Sequence, residues 1–132
     1  MQSPILQCVV AIVATLGVAM AQGPRQARST PIRQVDVVAR KFQFEPAALV
    51  VSSGEVVRLR IHSDDVVHGF AIPKMNLDVR IPDGGEAVTI EFIAPAPGQY
   101  EIVCSKLCGH GHADMKAMLI SRANDSSQMH TQ

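Results

Sequence analysis

An all-β fold, an antiparallel sandwich or barrel, is what this sequence predicts, and three observations predict it. Short runs rich in β-branched residues alternate apolar and polar side chains, as half-buried strands do. Turn signals bearing Gly and Pro separate these runs at roughly even spacing. No amphipathic helix of any length is visible. The 132 residues suffice for one domain with a real core and not for two.

The strands follow in order. "VDVVARKFQF" is rich in β-branched and aromatic residues, and "ALVVSSGE" ends in a turn. "VVRLRIHS" sets Val57, Leu59 and Ile61 on one face against Arg58, Arg60 and His62 on the other. "VVHGFAI" comes next, then "LDVRI", where Leu77, Val79 and Ile81 alternate with Asp78 and Arg80. After the turn "PDGG", "AVTIEFIA" points Val88, Ile90 and Phe92 one way. "PAPGQ" is a rigid turn, "YEIVC" a strand and "KAMLIS" the last strand. The domain expected from these runs covers residues 35–122.

The two ends read differently. Residues 1–24 carry no charged side chain, and "AMA" at Ala19 to Ala21 has the small-x-small form of a signal-peptidase site. Residues 1–21 are therefore expected to be an export signal, with an uncleaved membrane anchor as the alternative. Residues 22–34 read as a flexible basic linker and 123–132 as a disordered tail. From Arg25 to Lys41 there are five basic residues and one acid, whereas from Phe42 onward seven basic and eleven acidic residues give a net of −4. The neutral total thus joins a basic tether to a mildly acidic globule, a balance that does not point to nucleic acid. Export places the chain in the periplasm or on the outer face of the cytoplasmic membrane, where thiols meet oxidising conditions.

The chemistry is concentrated in "CSKLCGHGHADM", residues 104–115. Cys104, Cys108, His112 and Met115 would share one helical face, but Gly109 and Gly111 lie among them. Each glycine weakens a short helix by about 1 kcal/mol, and a strand runs directly into Cys104. A loop between two strands is expected instead. One reading of it is a Cys104–Cys108 disulfide, which leaves His112 and Met115 without a purpose. A second is a structural zinc held by Cys and His, which has no use for a thioether. The third is copper, for which thiolate, imidazole and thioether form a soft set. A mononuclear site of one Cys, two His and a Met would leave one thiolate over. Two thiolates on one loop can bridge two copper ions, each then needing a nitrogen. His112 supplies one, and His68 in "DDVVHGFAIP" is the candidate for the other.

Taken together, "FQFEPAALVVSSGE", "DVVHGFAIP" and "PGQYEIVCSKLCGHGHADM" with the closing strand resemble the soluble domain of cytochrome c oxidase subunit II over roughly residues 42–120. The resemblance implies a cupredoxin-like Greek-key sandwich carrying the binuclear copper centre called CuA. It implies Cys104 and Cys108 as bridging thiolates, His68 and His112 as terminal ligands, Met115 as a weak axial ligand and the backbone carbonyl of Lys106 as the other. It also implies a c-type cytochrome as electron donor and the catalytic subunit of a haem-copper oxidase as acceptor, any catalysis belonging to that complex. The sequence departs from the family at Lys106, where many members place a carboxylate that helps hold magnesium, so no magnesium site is expected. Trp is absent, and with it the aromatic electron-accepting residue of many relatives. An exported copper carrier without redox turnover is the competing function.

Other residues read as ordinary. His110 is expected to be a solvated loop residue and His62 to lie on a polar strand face. Tyr100 reads as a packed sandwich tyrosine, and Met75 as packed near the loop or exposed. Asp64 and Asp65 read as a solvated turn beside His68, available to a docking surface. Cys8 receives no role, and Met129 and His130 sit in the tail.

Overall fold

The computed structural model describes residues 31–124, so the expected signal, most of the linker and all but two residues of the tail lie outside the described residues. Among the described residues nine strands form two sheets: β1 (Ile32–Arg40), β2 (Gln43–Glu45), β3 (Ala48–Ser52), β4 (Val56–Ser63), β5 (His68–Ile72), β6 (Leu77–Ile81), β7 (Val88–Ile93), β8 (Gly98–Val103) and β9 (Lys116–Arg122). One sheet runs β2-β1-β4-β7 and the other β3-β9-β8-β5-β6. Among the described residues the only helical pieces are two 3-10 turns, Pro73–Met75 and His112–Asp114.

Alternation placed the core correctly. Val57, Leu59 and Ile61 are fully buried and meet Phe70, Ile72, Ile81, Ile102 and Leu119 from the opposite sheet. Phe44 of β2 and Phe70 of β5 cross the sandwich edge to face, with centroids 5.5 Å apart. Tyr100 packs against this core, and its hydroxyl donates to the Ala96 carbonyl at 2.8 Å.

The sandwich is as expected, but its pairing is not wholly antiparallel. β1 runs parallel to β4 over eight pairs, from Ile32↔Val56 to Ala39↔Ser63, and β3 runs parallel to β9. The cause is a change of sheet. Pro46 follows β2 and has no N–H with which to extend a ladder. The chain crosses to the second sheet for β3, then returns for β4, which comes back alongside β1 in the same direction. β1 also starts at Ile32, so residues 32–34, read as linker, pair with β4.

Two features of this topology build the site. β5 and β8 are antiparallel neighbours joined at Ala71↔Val103, so the start of β5 lies beside the end of β8. Continuing that register brings Gly69 opposite Ser105. Here the glycine is required by proximity. A Cβ on Gly69 would overlap the Ser105 hydroxyl and lie 2.7 Å from the Lys106 amide nitrogen. The loop after β8 therefore rests directly on the backbone next to His68.

Candidate metal centre

The loop of residues 104–115 is closed at its base, where the Cys104 N–H donates to the Met115 carbonyl at 3.1 Å. Within it, the His112 N–H donates to the Gly109 carbonyl and the Met115 N–H to the His112 carbonyl. Ser105 ties the loop sideways, donating its hydroxyl to Asp78 of β6 at 2.5 Å. The chain forms a loop with a single 3-10 turn at His112–Asp114, as the two glycines led one to expect.

All six donors named from the sequence gather at one place. The Sγ atoms of Cys104 and Cys108 are 3.6 Å apart, and both thiols are free and buried. Cys104 Sγ lies 3.9 Å from His68 Nδ1 and 3.0 Å from the Lys106 carbonyl oxygen, to which the thiol donates. Cys108 Sγ lies 3.8 Å from His112 Nδ1 and 3.8 Å from Met115 Sδ. The donor atoms of His68, Cys104 and Cys108 fall within 4.8 Å of one another. His68 and Met115 are fully buried and His112 is half-buried. The thiols thus sit at the middle, with a histidine at each end.

The donor set fits a metal. The sulfur separation is well beyond a disulfide bond of about 2.05 Å and short of twice a metal–thiolate bond of about 2.3 Å, so a single ion can touch both sulfurs. Burial and the neighbouring Cys104 thiol push the Cys108 thiol up to about 11, so metal uptake must displace its proton. Met115 brings a thioether into this polar cluster, which zinc would leave unused and copper would not.

One contributing contact was not foreseen from the sequence. Asp65 lies exposed in the turn, as expected, and also accepts a hydrogen bond from His68 Nε2 at Oδ1, 2.7 Å away. This fixes the His68 tautomer and leaves Nδ1 with its lone pair facing the sulfurs, a common second partner for a metal-binding histidine. Asp65 also accepts from the Val66 N–H at 2.6 Å and, through Oδ2, from the Lys41 N–H at 2.7 Å. Burial acts to raise its pKa, but these hydrogen bonds and the His68 ring outweigh it and hold the carboxyl down at about 2. The D-x-x-H spacing in "DVVH" was the available signal; it is weak, because such pairs are common in turns.

The remaining candidates fall outside the cluster. His62 lies 3.3 Å from Asp64 at the surface. His110 is exposed and lines, with Leu107, Gly109, His112 and Ala113, an open hollow of about 640 Å³ at the His112 end. Met75 is half-buried against the core. The side chain of Lys106 is exposed, and only its carbonyl faces the thiols.

A strand-built sandwich with a Cys/His cluster between its loops defines a class, and the comparisons agree: residues 8–120 match the model of the cupredoxin-like domain, and the chain belongs to that family. Within it, the chain is homologous to proteins named cytochrome c oxidase subunit 2. One from Thermus thermophilus is 34% identical over 86 residues, covering 65% of this chain and 63% of that protein. The chain thus spans less than two thirds of that relative, and 51% of a second Thermus thermophilus protein of the same name. Among solved structures, a haem-copper terminal oxidase dimer matches with a TM-score of 0.61 at 28% identity, over 68% of this chain and 65% of that one. The periplasmic domain of subunit II of the cytochrome oxidase of Bradyrhizobium japonicum matches with a TM-score of 0.63 over 70% of this chain and 85% of that one. At 19% identity that likeness speaks for the fold.

Proposed function

We propose that this chain is an exported electron-transfer domain holding two copper ions in a CuA centre, and that it serves a haem-copper oxidase complex. The carrying observation is the convergence of two buried thiols 3.6 Å apart with an imidazole nitrogen beside each. Cys104 and Cys108 would bridge, His68 and His112 would cap the two ends, and the Lys106 carbonyl and Met115 sulfur would lie alongside. Bound there, the copper pair supplies a one-electron carrier whose charge is spread over both metals.

The protein's part is placement. β5 and β8 fix His68 and Cys104 from adjacent strands. Gly69 lets the loop settle onto β5, and Asp65 holds the His68 ring. The apolar surroundings of Met115 and the thiols exclude water from the sulfur side. His112 alone among the side-chain donors borders the open hollow, beside Leu107, which is 84% exposed. That end suits the approach of a redox partner, which the homologues named above suggest is a c-type cytochrome. The catalytic subunit of a haem-copper oxidase is the corresponding acceptor. An exported location agrees with the largely apolar residues 1–21, read as a signal cleaved after Ala21.

The test is copper loading of the metal-free protein. Two coppers per chain are expected, with electron paramagnetic resonance showing one unpaired electron shared over both nuclei. Cys108→Ser should retain one copper or none and lose the shared signal. A colourless, resonance-silent copper complex would turn the reading to a Cu(I) carrier. A shared-electron pair surviving in Cys108→Ser would overturn the bridging role.

A further inference from the structure

The turn between β1 and β2 reaches both ends of the site, although it lies more than sixty residues before the ligand loop. Lys41 contributes its backbone N–H to Asp65 Oδ2 at 2.7 Å, and the other oxygen of Asp65 holds His68 Nε2 at 2.7 Å. Phe42, the next residue, covers the opposite end. A Cβ on Gly109 would sit 3.0 Å from Phe42 Cε1 and Cζ, and one on Gly111 would clash with the ring, 2.6 Å from Cγ and 2.9 Å from Cε2. Gly109 follows Cys108, and Gly111 precedes His112. The space that side chains would occupy in this segment is taken by one aromatic ring.

Phe42 has no other evident employment. It is 37% exposed, and it is absent from the buried core that Phe44, two residues on, belongs to. Gly111 has φ −90° and ψ 11°, a conformation open to any residue, so its backbone does not call for glycine. The closeness of Phe42 does.

We propose that Lys41 and Phe42 form a positioning clamp: one dipeptide that fixes the His68 segment through Asp65 and the His112 segment through the Phe42 ring. It would thereby set how the two histidines face each other across the thiols. The inference deepens the copper reading, on which its metal-loaded readout rests, but the clamp exists in the metal-free chain and is tested there first.

The variants are Phe42→Ala, Phe42→Tyr, Gly111→Ala and the double variant Phe42→Ala/Gly111→Ala in the full chain. Amide hydrogen exchange of the metal-free protein reads the loop directly. Phe42→Ala should speed exchange of the His112 N–H about tenfold while leaving β4 and β8 unchanged, because local opening is independent of global unfolding. Phe42→Tyr, which keeps the ring, should behave as the parent does. Gly111→Ala alone should also free the segment by displacing the ring, and adding it to Phe42→Ala should have no further effect, a strongly non-additive pair. In copper-loaded protein, Phe42→Ala should change the histidine hyperfine pattern, and Phe42→Tyr should restore it. Unchanged exchange at 109–113 in Phe42→Ala, equal acceleration throughout β4 and β8, or additive effects in the double variant would each overturn the clamp. If the parent chain takes up no copper, the copper reading fails while the exchange data still decide the clamp.

Discussion

His68 and His112 face the same pair of sulfurs from opposite sides, yet they are built in different ways. His68 opens a strand, is fully buried, and has its second ring nitrogen fixed by Asp65. His112 opens a one-turn 3-10 segment in a loop, is half-buried, and borders the open hollow. Among the described residues no carboxylate pairs with its ring, whereas Asp65 pairs with His68 and Asp64 with His62. On the proposed function, the difference separates two requirements of an electron carrier. One end is held rigidly by the sheet, so that the ligand geometry has little freedom to relax. The other end lies close to solvent, where the proposed redox partner would approach.

The largest expected effects break that asymmetry by removing each ring in turn. His68→Gly empties a fully buried position and takes a partner from Asp65. A cavity of that kind costs about 2–5 kcal/mol, and an orphaned polar group adds about 1–3 kcal/mol. His112→Gly removes a half-exposed loop side chain and should cost the metal-free protein under about 1 kcal/mol. Urea unfolding of both variants measures the contrast. Copper loading with added imidazole sharpens it. Free imidazole should reach the opened position in His112→Gly and restore the two-copper resonance signal, and it should fail in His68→Gly, whose position is sealed. Equal rescue of both variants would mean that the His68 end is as accessible as the other.

A smaller effect isolates Asp65. Its folded-state pKa is held below the ordinary carboxylate value, at about 2. A depressed carboxylate adds stability that is complete above the unfolded pKa and is lost as pH falls through the folded one. The window is therefore between about pH 4 and pH 2. The shift corresponds to about 2 kcal/mol, less some screening because the side chain is 31% exposed. Asp65→Asn should be less stable than the parent by about 1–2 kcal/mol at pH 5–6, and the gap should close on acidification toward pH 2. Other carboxylates titrate in both proteins and cancel in the difference. A gap that stays constant from pH 5 to pH 2 would show that the Asp65 charge contributes nothing.

These contrasts also mark what a sequence can disclose. The alternation of Val57, Leu59 and Ile61 encodes which face is buried, because the strand period is two residues and burial is a local pattern. The candidate loop is legible for a similar reason: Cys104, Cys108, His112 and Met115 are close in the chain, and their softness as donors is a property of residue type. His68 was found by counting the nitrogen that the set lacked. The parallel pairing of β1 with β4 was not legible, because alternation carries no strand direction. Nor was the reach of β1 back to Ile32, where Arg33 and Gln34 gave a polar look to paired residues. Asp65 and Phe42 were missed because each works through contacts between segments distant in sequence. Asp65 looks like any acidic turn residue until Lys41 and His68 are brought to it. Gly111 looks like loop flexibility until the Phe42 ring is found where its side chain would lie.

The smallest expected effect falls on Met115, and it tests on which side of the centre that residue acts. Its side chain is fully buried, with Sδ 3.8 Å from Cys108 Sγ, the sulfur that lies beside His112. Met115→Leu is close to volume-conserving, so the fold should lose less than about 1.5 kcal/mol. The backbone bonds that close the loop, from Cys104 N–H to the Met115 carbonyl and from Met115 N–H to the His112 carbonyl, do not involve the side chain and should persist. In the proposed two-copper centre two thiolates and two imidazoles remain, so two coppers per chain should remain as well. What changes is a weak donor replaced by hydrocarbon. The oxidised centre carries the larger positive charge and loses more by that exchange, so the reduction potential should rise. The change should also be lopsided: the hyperfine coupling assigned to His112 should move more than that assigned to His68, because the sulfur lies at the His112 end. Voltammetry and resonance on selectively labelled histidines would measure both. Loss of one copper in Met115→Leu would make the thioether a principal ligand, and equal movement at both histidines would remove Met115 from the His112 side of the comparison.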